Sequence, residues 1–371
     1  MMQRAFELAQ NGCRTVSPNP MVGCVIVKDG NIIAEGWHEC PGSHHAEAAA
    51  LLKAGTAAKG ADLYVTLEPC CHYGRTPPCT EKIIAAGIKR VVAAVRDPNP
   101  LVAGKGIQML QAAGIECSYG MLQGNAHRQN EIFFKFIKTG LPFVTLKLAC
   151  SLDGKNATAT GESRWITGEQ SRTEVHRLRS QHKALLTGIG TILTDDPLLT
   201  VRLADDETAP TPIRIIADPM ALTPPEAAIL GTLQKAPVII AVSQAADRAR
   251  TNRLTALGCR ILTCQGADDL LDLDDLLTQL GAMEIDSLFV EAGGTLAGAI
   301  IHGRYADRCI IFIAPMFMGS NARSAIAAQQ STILSEVPRY NIRSCNICGE
   351  DIMLDITTDH YNTEGTLCSQ E

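Results

Sequence analysis

The sequence predicts an α/β protein built from two domains. Apolar runs of strand length alternate with amphipathic helical segments, and this alternation starts again near residue 142. The composition agrees, because a chain of 371 residues with 46% hydrophobic and 19% charged residues suffices for two or three domains with apolar cores. We therefore predict one domain over residues 1–142 and a second over residues 143–371.

The first domain is predicted to begin with a helix at 2–11 and a β-hairpin. Asp29 and Gly30 separate two apolar runs, 21–27 and 32–38, and Asp-Gly in this position is a strong hairpin signal. Helices and strands then alternate. They are predicted at 45–55 (helix), 62–69 (strand), 80–87 (helix), 88–95 (strand), 106–114 (helix) and 125–140 (helix).

The second domain is predicted to open with the apolar strand 143–150, which follows a break at Gly140 and Pro142. A β-hairpin around Gly349 and Glu350 closes it, and the last dozen residues are polar and predicted to be disordered. The remaining strands are predicted near 183–187, 213–217, 237–242, 260–264, 286–291 and 308–314, and the helices near 168–181, 246–257, 269–280 and 294–302.

Charge and hydropathy exclude several classes of protein. A net charge of −6 argues against a general role on nucleic acid or on a membrane surface, because both need basic stripes. No uninterrupted apolar run reaches the roughly 18 residues of a transmembrane helix, and the N-terminus lacks the features of a signal peptide. We expect a cytoplasmic protein, in which clusters of its 14 cysteines are metal ligands rather than disulfides.

A group of metal-ligand residue types stands out in the first domain. The string HHAEA places Glu47 two residues after His45, and TLEPCCHYGRTPPC supplies Cys70, directly after Pro69, and Cys79 at the start of a predicted helix. Zinc nucleobase deaminases combine H-x-E with P-C and a second cysteine, and their glutamate moves protons without binding the metal. We predict a zinc site made by the histidine and the two cysteines, with the glutamate as the acid/base.

Other residues compete for the same roles. His44 and Cys71 are alternative ligands, but only the second histidine of HH has a glutamate two residues later, and only the first cysteine of CC follows a proline. His72 is a further candidate. Eight residues separate the two predicted cysteine ligands, where the usual motif has two. The isolated pair Cys345 and Cys348, in the terminal hairpin, is predicted to pack rather than bind metal.

The second domain is less specific by pattern alone. A glycine-rich segment, 293–299, follows a predicted strand and opens a helix, where backbone N–H groups can hold a phosphate. It does not match G-x-G-x-x-G, and so close packing of the glycines is an equal alternative.

Several strings together resemble the bifunctional riboflavin-biosynthesis deaminase–reductases. They are LEPC, HYGRTPPC, PNPMVG and RDPNP in the first half and KLACSLDGK, TGESRWITG, TGIGTILTDDPLLTVR and VEAGGTLAGA in the second. The resemblance covers nearly the whole chain. It implies a cytidine-deaminase-like three-layer α/β/α domain followed by a dihydrofolate-reductase-like domain with a mostly parallel sheet flanked by helices.

The resemblance implies two activities on a small phosphorylated pyrimidine. The first domain would use zinc to deaminate 2,5-diamino-6-ribosylamino-4(3H)-pyrimidinone 5′-phosphate hydrolytically. The second would reduce the ribosyl group to a ribityl chain with NADPH. No nucleic-acid or membrane partner is implied, and we expect a homo-oligomer, either a dimer or a tetramer.

The resemblance also assigns residues to roles. Lys147 and Asp195 are candidates for proton transfer to the opened sugar. Arg179 and Arg202 suit a 5′-phosphate, because a guanidinium can bind phosphate through two parallel hydrogen bonds. The cofactor positions are Ala149, Trp165, Thr191, Asp195, Gly293, Gly294, Thr295, Leu296, Ala297, Gly298 and Ala299. The substrate positions are Asn19, Ser163, Arg179, Leu199, Arg202 and Glu291.

Two other functions fit parts of the sequence. A zinc deaminase acting on nucleic acid would need basic and aromatic surfaces, which a net charge of −6 and an aromatic content of 4% do not favour. A structural zinc domain fused to a nucleotide-binding module would need a fourth protein ligand. A site with only three protein ligands rejects that alternative.

Overall fold

The computed structural model describes residues 1–73, 77–266, 270–327 and 333–358. The chain divides into two compact units, Met1–Gly140 and Leu141–Glu371. Each unit has its own mixed sheet and its own apolar core, which confirms the predicted α/β fold class. Three predicted features lie wholly or partly outside these residues. They are the polar tail predicted to be disordered, the middle of the segment between Cys70 and Cys79, and the start of the helix predicted at 269–280.

The first unit is a sheet with helices packed against it. Its elements are α1 (Met2–Ala9), β1 (Gly23–Lys28), β2 (Asn31–Trp37), α2 (Ala46–Ala54), β3 (Asp62–Val65), α3 (Cys79–Ala85), β4 (Arg90–Ala93), α4 (Lys105–Ala112), β5 (Glu116–Tyr119), α5 (Gln123–Gln129) and α6 (Glu131–Thr139). The strands described form one sheet in the order β2-β1-β3-β4-β5. β1 is antiparallel to both of its neighbours, and β3, β4 and β5 are parallel.

The predicted hairpin is confirmed as the β1–β2 pair. Lys28 pairs with Asn31, and the two residues between them have positive φ angles, 51° at Asp29 and 80° at Gly30. A two-residue hairpin turn of this kind requires left-handed backbone at both positions, which is why Asp-Gly is favoured there.

A close approach between β2 and α2 fixes the start of that helix. Gly36 lies on β2, and a Cβ atom added to it would come within 2.4 Å of the Ala46 carbonyl oxygen. Only glycine lets the two backbones come this close. This contact positions the start of α2, where His45 is the N-cap residue and Glu47 lies in the first turn.

The second unit contains a larger sheet. Its elements are β6 (Phe143–Ser151), β7 (Lys155–Ala157), α7 (Glu169–Ser180), β8 (Ala184–Gly188), α8 (Ile189–Asp195), β9 (Ile213–Ala217), β10 (Val238–Ser243), α9 (Arg248–Ala256), β11 (Arg260–Cys264), α10 (Leu273–Ala282), β12 (Ser287–Glu291), α11 (Gly294–His302), β13 (Arg308–Ala314), β14 (Arg323–Ser324), β15 (Asn341–Cys348) and β16 (Asp351–Thr357). In the described residues the sheet order is β11-β10-β9-β8-β12-β6-β13-β16-β15, parallel from β11 to β13, with the terminal hairpin antiparallel. β7 and β14 form a separate small pair.

Alternating side chains of the large sheet enter two separate apolar clusters. In β12, Leu288 and Val290 belong to one cluster and Phe289 to the other. This is the expected pattern for a strand covered on both faces, because successive side chains point to opposite sides of a sheet. No helix in the described part of the chain is long and apolar enough to cross a membrane.

One predicted helix is wrong in its extent. The segment predicted as a single helix at 125–140 forms α5 and α6, with a break at Asn130 (φ −112°, ψ 24°). The Asn130 side chain accepts a hydrogen bond from the Met21 N–H (2.8 Å) and donates one to the Met21 carbonyl (2.9 Å). This tertiary contact outweighs the continuous helical pattern.

Several short elements were not predicted. β5 is an edge strand with a mostly exposed pattern, and so it contains no apolar run. α8 spans 7 residues, too few for a clear helical periodicity. β7 and β14 span 3 and 2 residues and depend on pairing between distant segments.

Candidate functional site

Three metal-ligand side chains converge in the first unit. His45 directly precedes α2, Cys70 follows β3, and Cys79 is the first residue of α3. Their ligand atoms all lie within 4.8 Å of one another. Both sulfur atoms face the same nitrogen, since His45 Nδ1 lies 3.5 Å from Cys70 Sγ and 3.4 Å from Cys79 Sγ. The structure thus brings together the three residues predicted as zinc ligands.

The two thiols of this group are not equivalent. The Cys79 thiol lowers the pKa of Cys70 to about 4 against the effect of burial, and His45 adds to this shift. The backbone N–H of Cys79 also donates to Cys70 Sγ, at 3.3 Å. The hydrogen bond to Cys70 and burial both raise the pKa of Cys79. Cys70 is therefore a thiolate at neutral pH, which is the form that binds metal.

The donor set fits zinc. Thiolate and imidazole are ligands that zinc takes in proteins, and three protein ligands are typical of a catalytic site, whereas structural sites have four. Among the described residues, no fourth histidine, cysteine or carboxylate joins the group. His44, Cys71 and His72, the competing candidates, lie outside it.

Glu47 lies in the first turn of α2, two residues after His45. It is buried, with 4% of its surface exposed, and burial is the main cause that raises the pKa of its carboxyl to about 7. A carboxyl group with this pKa both accepts and releases a proton near neutral pH, as general acid–base catalysis requires.

His38 also lies at this site and was not predicted, because a lone histidine at the end of a strand carries no sequence signal. Its buried ring lies edge-on to the His45 ring, with centroids 5.4 Å apart. Nδ1 donates to the His44 carbonyl (3.2 Å), and so Nε2 accepts from the side-chain amide of Asn19 (3.1 Å). Burial lowers the pKa of His38, consistent with this neutral tautomer. Asn19, the predicted substrate residue, is thereby held near the metal ligands.

In the second unit, a buried carboxylate holds two cations. Glu291 ends β12 and lies opposite Lys147 on the neighbouring strand β6. Both carboxylate oxygens accept from Arg179 of α7, Oε1 from Nε and Oε2 from Nη2 at 3.0 Å. Lys147 Nζ lies 3.6 Å from Oε2. The fold thus brings Lys147, Arg179 and Glu291 into one charged group, although they span 144 positions of the sequence.

The charges of this group depend on one another. Burial alone would raise the pKa of Glu291, but Arg179 and Lys147 outweigh it and hold the pKa at about 2. Burial lowers the pKa of Lys147, an effect that Glu291 opposes. The glutamate is therefore an anion at all physiological pH values. Removal of its charge would leave two cations buried without a counter-ion, which is strongly unfavourable.

The two arginines predicted to bind phosphate have different surroundings. Arg179 already uses its bidentate edge on Glu291, and its Nη1 donates to the Thr200 carbonyl at 3.0 Å. Arg202 is exposed, and its Nη1 donates to Thr200 Oγ1 at 3.3 Å. Its backbone N–H donates to His176 Nδ1 at 3.3 Å. Burial, Arg179 and Arg202 lower the pKa of His176 to about 4, so this unpredicted neighbour is neutral.

Asp195 and Trp165 lie away from the Glu291 group. Asp195 ends α8, and its described contacts are with Arg164, which donates to its carbonyl at 2.5 Å and approaches its carboxylate at 3.9 Å. Trp165 is 69% exposed, and the Arg172 guanidinium lies 4.5 Å from its ring centroid. The structure does not bring Asp195 into contact with Lys147 among the described residues.

The glycine-rich segment forms the start of α11. Gly293 is the N-cap residue and has no side-chain cap, so the first N–H groups of the helix are available to an anionic group. A Cβ atom on Gly294 would come within 2.7 Å of the Ser324 carbonyl. α11 follows β12 at the carboxyl end of a parallel strand, where nucleotide ligands bind in open α/β sheets.

Four further predicted positions lie in the second unit. Thr191 lies in the first turn of α8, directly after β8, and β8 pairs with β12. Ala149 lies on β6 and is partly buried, as is Ser163. Leu199 is 5% exposed and has a φ angle of 53°, which is rare for a leucine.

Comparison with known proteins agrees with this geometry. Residues 1–95 match the family model described as the cytidine and deoxycytidylate deaminase zinc-binding region, and residues 142–354 match that of the RibD C-terminal domain. The riboflavin biosynthesis protein RibD of Escherichia coli (strain K12) is 44% identical over 365 residues, which cover 96% of this chain and 98% of that protein.

Solved structures give the same result. Acinetobacter baumannii RibD, form 1, has a TM-score of 0.86 at 41% identity, covering 96% of this chain and 97% of that one. A diaminohydroxyphosphoribosylaminopyrimidine deaminase/5-amino-6-(5-phosphoribosylamino)uracil reductase from Thermotoga maritima has a TM-score of 0.83 at 34% identity, with coverage of 96% and 97%.

The fold and the site define an enzyme that joins a zinc-binding deaminase domain to a reductase domain with a place for a nucleotide cofactor. The chain belongs to the RibD family of bifunctional riboflavin-biosynthesis deaminase–reductases. The predicted family and the predicted enzyme class are confirmed.

Proposed function

We propose that the chain catalyses two successive reactions on one phosphorylated pyrimidine. The first is the hydrolytic deamination of 2,5-diamino-6-ribosylamino-4(3H)-pyrimidinone 5′-phosphate, and the second is the reduction of its ribosyl group to ribityl with NADPH. The convergence of His45, Cys70 and Cys79 beside a buried Glu47 is the observation that carries the proposal. We assign the deaminase to residues 1–142 and the reductase to residues 143–371.

In the deaminase, His45, Cys70 and Cys79 are the proposed zinc ligands. Zinc bound there supplies Lewis-acid chemistry and lowers the pKa of a water molecule to roughly 7. Glu47 accepts the proton of the attacking water and delivers it to the leaving amine, so that ammonia departs and the ring carbon becomes a carbonyl. Asn19 binds the pyrimidine, with its amide oriented by the hydrogen bond to His38.

In the reductase, residues 293–299 would hold the cofactor, with Ala149, Trp165, Thr191 and Asp195 as further contacts. NADPH supplies hydride when bound, and the protein contributes position and electrostatics. The choice of NADPH over NADH rests on the family resemblance.

The substrate of the reductase contacts Ser163, Leu199 and the Glu291 group. Arg202 binds the 5′-phosphate, since its guanidinium is exposed and has no carboxylate within ion-pair distance among the described residues. Arg179 orients Glu291 toward the substrate through their bidentate pair. Lys147 and Asp195 are the proposed groups for proton transfer to the opened sugar.

We further propose a homo-oligomer, a dimer or a tetramer, in the reducing cytoplasm. The 13 cysteines in the described part of the chain are free thiols, as is typical of a reducing compartment.

β15 is an outer strand of the large sheet, and its residues Ile342 and Ile347 are 69% and 76% exposed. An edge strand with exposed apolar side chains is a surface on which a second copy can pair.

Metal content tests the ligand set. Cys70→Ser and Cys79→Ser should lose most of about one zinc per chain, because a serine hydroxyl is a poor ligand for zinc. The same change at Cys345 and Cys348 should leave the zinc content unchanged. Elemental analysis of the purified proteins measures both, and full zinc in Cys70→Ser would refute the assignment.

An arginine-to-lysine change at residue 202, which keeps the positive charge, tests the proposed phosphate contact. Arg202→Lys should raise the KM of the reduction about tenfold or more, because lysine lacks the planar fork that binds phosphate through two hydrogen bonds. Arg177→Lys is the matched control, since Arg177 is exposed on α7 and pairs with Glu174 and Asp205. NADPH oxidation, followed by absorbance, gives both values. An unchanged KM in Arg202→Lys would show that the phosphate binds elsewhere.

If the deaminase and reductase sites are independent, a substitution in one site should abolish one activity and leave the other intact. Glu47→Gln should retain zinc and reduce the rate of ammonia release about 10²–10⁴-fold, with the loss near the upper limit because one residue serves both proton transfers. Supplied with deaminated substrate, it should still oxidise NADPH at close to the normal rate. Asp195→Ala should show the reverse pattern. Loss of both activities in Glu47→Gln, with zinc and fold intact, would contradict the assignment of one activity to each domain.

Assembly through β15 is tested with lysine. Ile342→Lys and Ile347→Lys together should lower the molar mass measured by light scattering after size-exclusion chromatography, because lysine on an edge strand opposes pairing. Leu257→Lys, at another exposed apolar residue of the same unit, should not change it. A wild-type monomer, or an oligomer insensitive to the double change, would refute assembly through this edge.

A further inference from the structure

We propose that Glu68 is a positioning residue of the metal centre, which holds the backbone of Cys70 in place by tying it to the start of α4. This inference rests on the proposed zinc ligand set, and it goes beyond that set because Glu68 neither binds the metal nor moves a proton in the proposed reaction. Glu68 stands two residues before Cys70 in the sequence.

The Glu68 carboxylate is buried and fully engaged by backbone groups. It is 3% exposed. Oε2 accepts from the N–H of Asp97 at 3.2 Å and of Gly104 at 2.9 Å, and Oε1 accepts from the N–H of Ile107 at 3.1 Å. One side chain of the metal-binding loop therefore binds three points along a distant segment, 97–107.

Two of these bonds cap α4. Gly104 is the N-cap residue of α4 and has no side chain that could accept a hydrogen bond from the first turn. The N–H groups of a first helical turn need acceptors from outside the helix. Glu68 supplies them from another part of the chain, and its negative charge also suits the positive end of the helix.

The first turn of α4 also packs directly against the peptide group between Pro69 and Cys70. A Cβ atom added to Gly106, in the first turn of α4, would lie 2.1 Å from the Pro69 carbonyl oxygen. No side chain fits in this space, and so the helix and the loop lie in direct backbone contact. On the α3 side, the N–H of Thr80 donates to the Cys70 carbonyl at 3.2 Å. The Cys70 backbone is thus held by both helices.

This arrangement matters for metal binding because the ligands come from three separate elements. Cys70 lies on a loop, whereas His45 and Cys79 begin helices. A loop ligand keeps its position only if the surrounding structure fixes it. Loss of groups that orient a ligand typically lowers metal affinity about 10–100-fold.

Glu68→Gln and Gly106→Ala disturb this junction in two different ways. A Cβ atom on residue 106 would also lie 3.2 Å from Glu68 Oε1, so both variants act on the contact between α4 and the metal-binding loop. The glutamine keeps the size of the side chain but replaces one acceptor oxygen by an NH₂ group, which cannot accept a backbone N–H. The alanine displaces α4 from Pro69. Each variant should raise the zinc dissociation constant of the folded protein about tenfold or more, measured by competition with a chromophoric chelator.

Two controls separate this effect from general destabilisation. Gly124→Ala is also a glycine change in a short helix of the first unit, but an added Cβ meets nothing within 4 Å. Asp351→Asn alters a buried carboxylate that accepts from the Gly168 N–H (2.8 Å) and the Ser171 hydroxyl (2.6 Å) at the start of α7. Neither should change zinc affinity, although Asp351→Asn should lower the melting temperature.

The outcomes are distinct. Weaker zinc binding in Glu68→Gln and Gly106→Ala, with both controls at wild-type affinity, supports the positioning role. Unchanged zinc affinity in either folded variant overturns it, even if the melting temperature falls. If Glu68→Gln does not fold, Gly106→Ala decides alone. Zinc retained in Cys70→Ser would instead refute the ligand set, which separates failure of the proposed function from failure of this inference.

Discussion

The convergence of two cysteine sulfurs on one imidazole nitrogen is the constraint on which the first unit depends. His45 Nδ1 lies within 3.5 Å of both sulfurs, although the three residues belong to different elements. The β2–α2 contact at Gly36 fixes the histidine, and α3 presents Cys79 at its first residue. Glu47 follows two residues after His45, in the first turn of α2, and is buried beside the metal ligands.

The second unit depends on a different interaction, an anion buried between two cations. Glu291 joins β12 to Lys147 on β6 and to Arg179 on α7, at the carboxyl end of the parallel strands. The same end of the sheet carries the glycine-capped start of α11. A charged group and a helix start without a side-chain cap therefore lie at the edge where α/β sheets bind nucleotides. Each unit thus has its own cluster of polar side chains, and the chain belongs to a family of bifunctional enzymes.

The sequence predicted the local features well. Asp29-Gly30 defined a hairpin because its turn needs left-handed backbone. H-x-E with two cysteines indicated zinc because these residue types are the ligands and the acid/base of zinc deaminases, although the two cysteines are further apart than usual. Long-range contacts were not predictable. The break at Asn130 depends on Met21, and the engagement of Arg179 by Glu291 depends on residues 112 positions apart. His38 and Glu68 carried no signal, since their roles arise only from the folded neighbours that they contact.

The central claim is that three protein ligands hold a zinc ion whose fourth position is left to water. X-ray absorption spectroscopy at the zinc edge of the purified protein tests it most directly. We expect two sulfur ligands at about 2.3 Å, one imidazole nitrogen at about 2.0–2.1 Å and one further light atom. A first shell with three or four sulfur atoms, or with a second imidazole, would contradict the account, because it would describe a closed structural site.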